Sequence, residues 1–485
     1  MDRYTDRHGR ERSPSPRLGS RERRAAPPRT PDPARGRETR VTATAASTAR
    51  VGGLRYLILA LIFGITAVNY ADRAIISIAG PKMADDLGLS PVAMGYIFSA
   101  FGWSYALGQL PGGWILDRFG SKWVYAASIT LWSAFTVMQG AVGFFTGGAA
   151  IALLFALRFL VGLAESPSFP ANARIVSAWF PTAERGFASA VFNSAQYFST
   201  VLFAPFMAWI VHSFGWRHVF WVMGLVGVTA ALLWTSVIHS PRRHPRLSQA
   251  ELDHLVEGGA LVEMDERPAG AKGKAGPSWT AVRQLLANRM LLGVYVAQYC
   301  ITAMTYFFLT WFPVYLVKER GLSILQAGFA AVLPALCGFL GGILGGIISD
   351  RLLKSTGSLT LARKVPIVAG MLLSTVIIVC NYVDAPAAVI ALMTLAFFGK
   401  GVGSLGWAVV ADTSPKEIPG LNAGLFNTFG NVAGITTPIA IGYIVQSSGG
   451  SFTGALVFVA LNAVVALVSY LFVVGEIRRV TLKPA

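Results

Sequence analysis

Residues 149–171 read AAIALLFALRFLVGLAESPSFPA, twenty-three positions with only two charges, Arg158 and Glu165. A helix of about 20 apolar residues spans the roughly 30 Å of bilayer hydrocarbon. The stretch therefore reads as a membrane span, and its two charges, costly at that depth, mark candidate functional positions. The pattern recurs along the chain. Apolar runs lie at 56–78, 92–115, 123–142, 149–171, 186–211 and 216–238, then at 290–316, 325–349, 364–383, 387–411, 421–446 and 453–474. Composition agrees: 54% of the 485 residues are hydrophobic and 13% charged, against about 25% charged in ordinary soluble chains. A soluble enzyme is excluded. The expected fold is an all-α polytopic membrane protein with twelve transmembrane helices.

An even number of spans puts both termini on one side. With that side cytoplasmic, the outer loops hold only Lys82, Arg217, Lys318 and Arg320 of the 41 basic residues, and the spans hold Arg73, Arg158 and Lys400. The other 34 lie inside, as the positive-inside rule demands. Residues 1–55 form an Arg-rich tail with thirteen Arg and no Lys in its first fifty positions. Its Ser-Pro steps would also suit a nucleic-acid arm. The simpler reading is a solvated cytoplasmic tail near anionic lipid heads, with no nucleic-acid partner. No secretory signal is expected ahead of the first span. Cys300, Cys337 and Cys380 sit in apolar blocks without disulfide or metal spacing, and the six histidines form no ligand cluster. No metal or cofactor is expected.

The charged, proline-rich stretch 239–289 divides the chain into halves at 56–238 and 290–474, with a short C-terminal tail at 475–485. Within the linker, 248–257 (SQAELDHLVE) reads as a short helix capped by Ser248, with Glu251 at the capping-box position. Gly112-Gly113-Trp114-Ile115-Leu116-Asp117-Arg118 recurs as Gly345-Gly346-Ile347-Ile348-Ser349-Asp350-Arg351, displaced by 233. Phe192-Asn193-Ser194 recurs as Phe426-Asn427-Thr428, and Pro205 as Pro438, at nearly the same displacement. Matches in this order predict two parallel six-helix halves, with the ligand between them.

On these residues the chain resembles the major facilitator superfamily. Gly113-x3-Asp117-Arg118-x-Gly120-x-Lys122 is similar to the superfamily's signature between helices 2 and 3. Asn69-Tyr70-Ala71-Asp72-Arg73 and Arg158-x6-Glu165-Ser166-Pro167-Ser168-Phe169-Pro170 look like its anion:cation symporter branch. Phe192–Tyr197, Gln298–Thr302, Phe397–Gly401 and Leu405-Gly406-Trp407 resemble the D-glucarate permeases of that branch. The resemblance implies proton-coupled import of D-glucarate or a related sugar acid by alternating access across the bacterial inner membrane.

The residues carry their own chemistry. The deep set Asp72, Arg73, Arg158, Glu165 and Lys400 holds one more base than acid, which favours an anion, and its two carboxyls provide places for protons. Arg158 and Glu165, two helical turns apart, share a face. Arg73 offers a planar fork for a carboxylate, the role that the resemblance also implies. Glu165 is assigned to proton coupling, with Asp72 and Arg158 beside it. Lys400 in the second half would take the far carboxylate of a sugar diacid; alternatively it snorkels, or pairs with an acid such as Asp412. The same charges would also serve as fixed ion pairs between helices 1 and 4. Tyr70, Tyr105, Asn193, Gln196, Gln298, Tyr299, Ser404, Trp407 and Asn427 complete the expected substrate set, although polar residues also join membrane helices. Asp117, Arg118, Asp350 and Arg351, at helix ends, are expected to latch the halves.

The expected protein is a monomer whose partners are a sugar-acid anion, protons and the lipid bilayer. Galactarate, galactonate or hexuronate transport stands as the alternative. A non-transporting sugar-acid receptor and a membrane-embedded enzyme are less well supported, since neither a signalling domain nor a catalytic constellation is visible.

Overall fold

The computed structural model describes residues 52–182, 184–265, 279–415 and 418–482. Most of the Arg-rich tail and the middle of the linker lie outside the described residues. Twelve long helices run through the described chain. In the first half these are α1 Leu54–Leu87, α2 Pro91–Phe119, α3 Ser121–Ala141, α4 Gly147–Trp179, α5 Arg185–Phe214 and α6 Trp216–Val237. In the second they are α7 Arg289–Lys318, α8 Ile324–Thr356, α9 Leu359–Tyr382, α10 Pro386–Thr413, α11 Pro419–Ser447 and α12 Thr453–Val473. Ten are long and apolar enough to cross a membrane; α2 and α3, of 29 and 21 residues, have the length but are more polar. Several helices outrun their apolar runs. α1 continues past residue 78 to Leu87 through the exposed Asp85 and Asp86, because hydropathy marks contact with hydrocarbon whereas backbone bonding continues into water.

The recurring segments fall on α2 and α8, and on α5 and α11. Two helices in repeat-equivalent positions are interrupted: α4 turns at Ser166-Pro167, and α10 at Gly403-Ser404-Leu405. Paired interruptions of this kind point to a binding site at membrane depth. The glycines of α8 divide in function. Gly341 and Gly345 press on the α10 backbone at Phe398 and Val402, leaving no room for a Cβ, whereas Gly346 faces open space.

The first part of the linker is more ordered than its composition suggests. Ile238, Leu255 and Val262 are buried with Trp179 and Phe180. Ser248 Oγ accepts from the Glu251 amide at 3.2 Å, but the Glu251 carboxylate does not turn back to complete a capping box. It accepts from the Leu54 and Arg55 amides at 3.3 and 3.2 Å. The linker helix Gln249–Glu257 thus supplies the N-terminal cap that α1 lacks in its own sequence. Farther on, Asp265 accepts from Ser121 Oγ and pairs with Arg174 at 3.2 Å.

The halves meet closely at the end away from the linker. A Cβ on Gly95 of α2 would stand 2.6 Å from the Pro438 carbonyl of α11, and one on Gly442 would stand 2.6 Å from that of Pro91. Tyr96 and Tyr443 hydroxyls meet at 3.3 Å, and Lys318 pairs with Asp85 at 2.5 Å; within the second half, Trp311 Nε1 holds the same Pro438 carbonyl at 3.1 Å. Toward the linker end, Asn427 reaches Gln109 at 3.5 Å, and Trp114, Phe119 and Trp407 keep more than half of their surface uncovered. The molecule is sealed at the far end.

Candidate functional site between the halves

A cavity of about 100 Å³ lies between the halves. Its walls include Tyr70 and Ser77 of α1, Gln196 and Thr200 of α5, Phe308 of α7 and Lys400 of α10. Among the described residues, Lys400 is the one charged group on this wall. Its ammonium stands 5.0 Å from the Phe397 ring centre, the residue is 7% exposed, and no carboxylate among the described residues lies within ion-pair distance. The pairing with Asp412 does not form. Asp412 instead accepts from Arg363 Nε at 2.8 Å, at the linker end of α10.

Arg73 sits one layer behind Tyr70. Its Nε donates to Glu165 Oε2 at 2.8 Å, with the two side chains 8% and 0% exposed. The guanidinium is boxed by the rings of Tyr70, Phe101 and Tyr105, with centroids at 4.8, 4.6 and 4.8 Å, and by Phe169 at 6.0 Å. Cation–π contact in a desolvated box is worth about 2 kcal/mol, so the cation stays placed when its carboxylate partner changes. Arg73 Nη2 and Glu165 Oε1 have no partner: one donor and one acceptor remain unused.

Arg158 has a different task from its neighbour. Its Nη1 and Nη2 donate to the carbonyls of Asp72 and Arg73 at 3.3 and 2.7 Å, pinning α4 to the α1 backbone where the two key side chains depart. Asp72 Oδ1 accepts from Thr136 Oγ1 of α3 at 2.6 Å, and its Oδ2 is unpartnered. The shared face of Arg158 and Glu165 is real, yet the two guanidinium groups divide the labour between backbone and carboxylate.

The remaining expected residues spread more widely. Gln196 lines the cavity and donates to the Asn193 carbonyl at 3.2 Å, while exposed Asn193 bonds back to Ser189. Tyr105 belongs to the Arg73 box. Gln298 donates to Thr302 at 3.1 Å beside Gly406, where α10 resumes after its interruption. Trp407 stacks edge-on against Phe426 at 4.9 Å, and Ser404 Oγ bonds back to the Lys400 carbonyl at 2.7 Å. Tyr299 hydrogen-bonds Thr436 at 2.7 Å in a separate hollow with Val296 and Val432. At the linker end, Arg118 lies over Trp114 and Phe119 at 5.4 and 5.5 Å, and the Asp117 side chain lies outside those described. Asp350 is 3.9 Å from Arg363, and Arg351 is exposed. Arg363 therefore holds the centre of the second-half charge cluster.

Three participants escaped the sequence reading. Phe101 is one turn before Tyr105 and so shares its face; Phe169 lies in the Glu165–Pro170 motif; Thr136 is a lone hydroxyl in an apolar run. Only their proximity to charges on other helices gives them meaning.

Residues 62–438 match the Major Facilitator Superfamily. The chain belongs to that superfamily. The "Probable galactarate/D-glucarate transporter GudP" of Bacillus subtilis (strain 168) is 62% identical over 430 residues, covering 89% of this chain and 94% of its own length. A D-galactonate transporter of Escherichia coli O6:H1 is 40% identical, covering 90% and 99%. Among solved structures, a D-xylose–proton symporter aligns at TM-score 0.63 and 14% identity over 87% of this chain and 98% of its own. A bacterial homologue of the lysosomal transporter Spinster aligns at 0.65 and 16%, over 87% and 97%. At such identity the structures share the fold alone. Like its superfamily relatives, the chain is a multi-pass membrane transporter and not an enzyme.

Proposed function

We propose that the chain imports galactarate, D-glucarate or a close sugar diacid together with protons, with the linker and both termini in the cytoplasm of a bacterial cell. The observation that carries this reading is Lys400: a buried cation without a carboxylate partner among the described residues, on the wall of a closed-ended cavity opposite the Arg73 layer. A sugar diacid has a carboxylate at each end and hydroxyls between, matching two cations and the amides and hydroxyls of Gln196, Thr200 and Ser77. The similarity to the galactarate/D-glucarate transporters supports the same substrate class.

Coupling follows from competition for Arg73. With the outer end open, a proton on Glu165 neutralises the partner that holds Arg73. The freed fork, kept in place by its aromatic box, accepts one substrate carboxylate, and Lys400 accepts the other. The halves then close over the outer end, as they stand here. Loss of the proton toward the linker end restores the Glu165 carboxylate, which recaptures Arg73 and displaces the substrate. Asp72, with one free oxygen, is a second proton acceptor.

Radiolabelled D-glucarate uptake into proteoliposomes under an inward proton gradient tests this. Accumulation is expected in the unaltered protein, and Lys400→Asn should impair the diacid more than a sugar mono-acid. Accumulation of mono-acids alone would overturn the substrate, and equal loss of both substrates in Lys400→Asn would remove the two-ended anchor.

A further inference from the structure

We infer that a second site, at the linker end of the second half, binds the phosphate headgroup of an anionic lipid. A cleft of about 690 Å³, open to solvent, runs between the start of α7 and the segment that follows α12. Arg289, Arg478 and Arg479 line it, against the single acid Glu476. None of these arginines has a carboxylate partner among the described residues. Arg289 uses Nη2 to hold the Phe472 carbonyl at 2.8 Å and keeps the rest of its fork free. Arginine forks match phosphate oxygens bidentately.

The cleft is built rather than incidental. Beyond α12 the chain is tied across the bundle: the Ile477 amide donates to Thr360 Oγ1 at 3.0 Å, and the Val480 amide to the Thr413 carbonyl at 3.0 Å. Val474 and Ile477, 1% and 3% exposed, anchor it. Arg478 and Arg479 are thereby held opposite Arg289 instead of moving with a free tail.

Two features favour a lipid over a free anion. The rim continues into exposed apolar surface at Leu292, Val468, Leu471 and Phe472, a wall that acyl chains would cover and inorganic phosphate would not need. Immediately before α7, the short helix Trp279–Ala287 buries Val282 and Leu285 while leaving Trp279 exposed, the arrangement of a helix lying at the headgroup level.

The test is native mass spectrometry of the whole purified protein in detergent with added dioleoyl-phosphatidylglycerol, dioleoyl-phosphatidylcholine or inorganic phosphate. Phosphatidylglycerol should be retained in preference to phosphatidylcholine. Arg478→Gln with Arg479→Gln should weaken that retention by roughly tenfold or more, and Arg478→Lys with Arg479→Lys, which keeps the charge but loses the forks, should restore only part of it. Circular dichroism checks that both variants remain folded. Equal retention of the two lipids, unchanged retention in the glutamine variant, or complete displacement of phosphatidylglycerol by millimolar inorganic phosphate would each overturn the assignment.

Discussion

Replacing Glu165 by glutamine isolates the competition on which coupling depends. The amide keeps the shape and an acceptor for Arg73 Nε, now at 2.8 Å from Glu165 Oε2, but removes the charge. The guanidinium donor stays charged in both proteins, but the variant loses the charge on the acceptor. Charge-assisted bonds span about 1.5–3 kcal/mol, and losing one of the two charges moves this bond toward the lower end. The variant therefore holds Arg73 less firmly by about 1–2 kcal/mol, a factor of roughly 5–30 in the affinity of an incoming carboxylate. The three rings within 5 Å of the guanidinium keep the cation in register, so the site should survive. Calorimetric titration with D-glucarate at mildly acid and at alkaline pH separates the cases. Unaltered protein should bind more weakly at alkaline pH, where Glu165 is ionised. Glu165→Gln should bind equally at both and exceed the unaltered protein by that factor at alkaline pH. Gradient-driven accumulation should be lost. Pair-insensitive behaviour, with no pH dependence in the unaltered protein and weaker binding in the variant at alkaline pH, would make Glu165 a fixed structural counter-ion.

Gly95→Leu places a branched side chain where even a Cβ meets the Pro438 carbonyl at 2.6 Å. Overpacking costs about 1–3 kcal/mol, so the far end should open, with spin-label distances across positions 92 and 446 lengthening; unchanged distances would contradict the seal. Glu251→Ala removes the cap on two α1 amides and one partner of Arg55, at a cost of about 2 kcal/mol. The melting temperature should fall, and amide exchange should rise first at 249–262. Burial pushes the His244 imidazole below its usual 6.5, with His239 adding to the effect. Its Nδ1 accepts from the Arg246 amide at 3.1 Å, a bond that the protonated ring cannot accept. The unfolded chain therefore takes up the proton more readily, and the stability that the neutral ring supplies is present above about pH 6.5 and lost as pH falls below it. Exchange in the linker helix should accelerate over that range in the unaltered protein, and the acceleration should vanish in His244→Gln.

Much of the architecture was written in the chain because lipid leaves the backbone few choices. Each apolar run must satisfy its own hydrogen bonds, so the apolar runs fall on the long helices of the described chain, ten of which are long and apolar enough to cross a membrane. The ordered recurrence at 112–118 and 345–351 pairs the halves. The deep charges were equally visible, since an arginine or glutamate amid some twenty apolar residues has no inexpensive alternative explanation.

What the sequence could not supply was the partner of each charge. Spacing puts Arg158 and Glu165 on one face of α4, but whether Arg73 meets one or the other depends on the rotation of α1 against α4, which only packing sets. The aromatic box draws on α1, α2 and α4, the Asp72 bond on α3, and the cap of α1 on a linker helix nearly two hundred residues away. The separation of Lys400 from Asp412 likewise rests on the break in α10 and on Arg363 of α9. A transporter also packs one sequence in alternating arrangements, so a sealed far end belongs to the tertiary state and leaves no mark in hydropathy. Sequence determined which residues enter the membrane and in what order, because burial in lipid is a local condition. Tertiary structure decided which of them touch, because contact depends on the relative rotation of helices far apart in the chain.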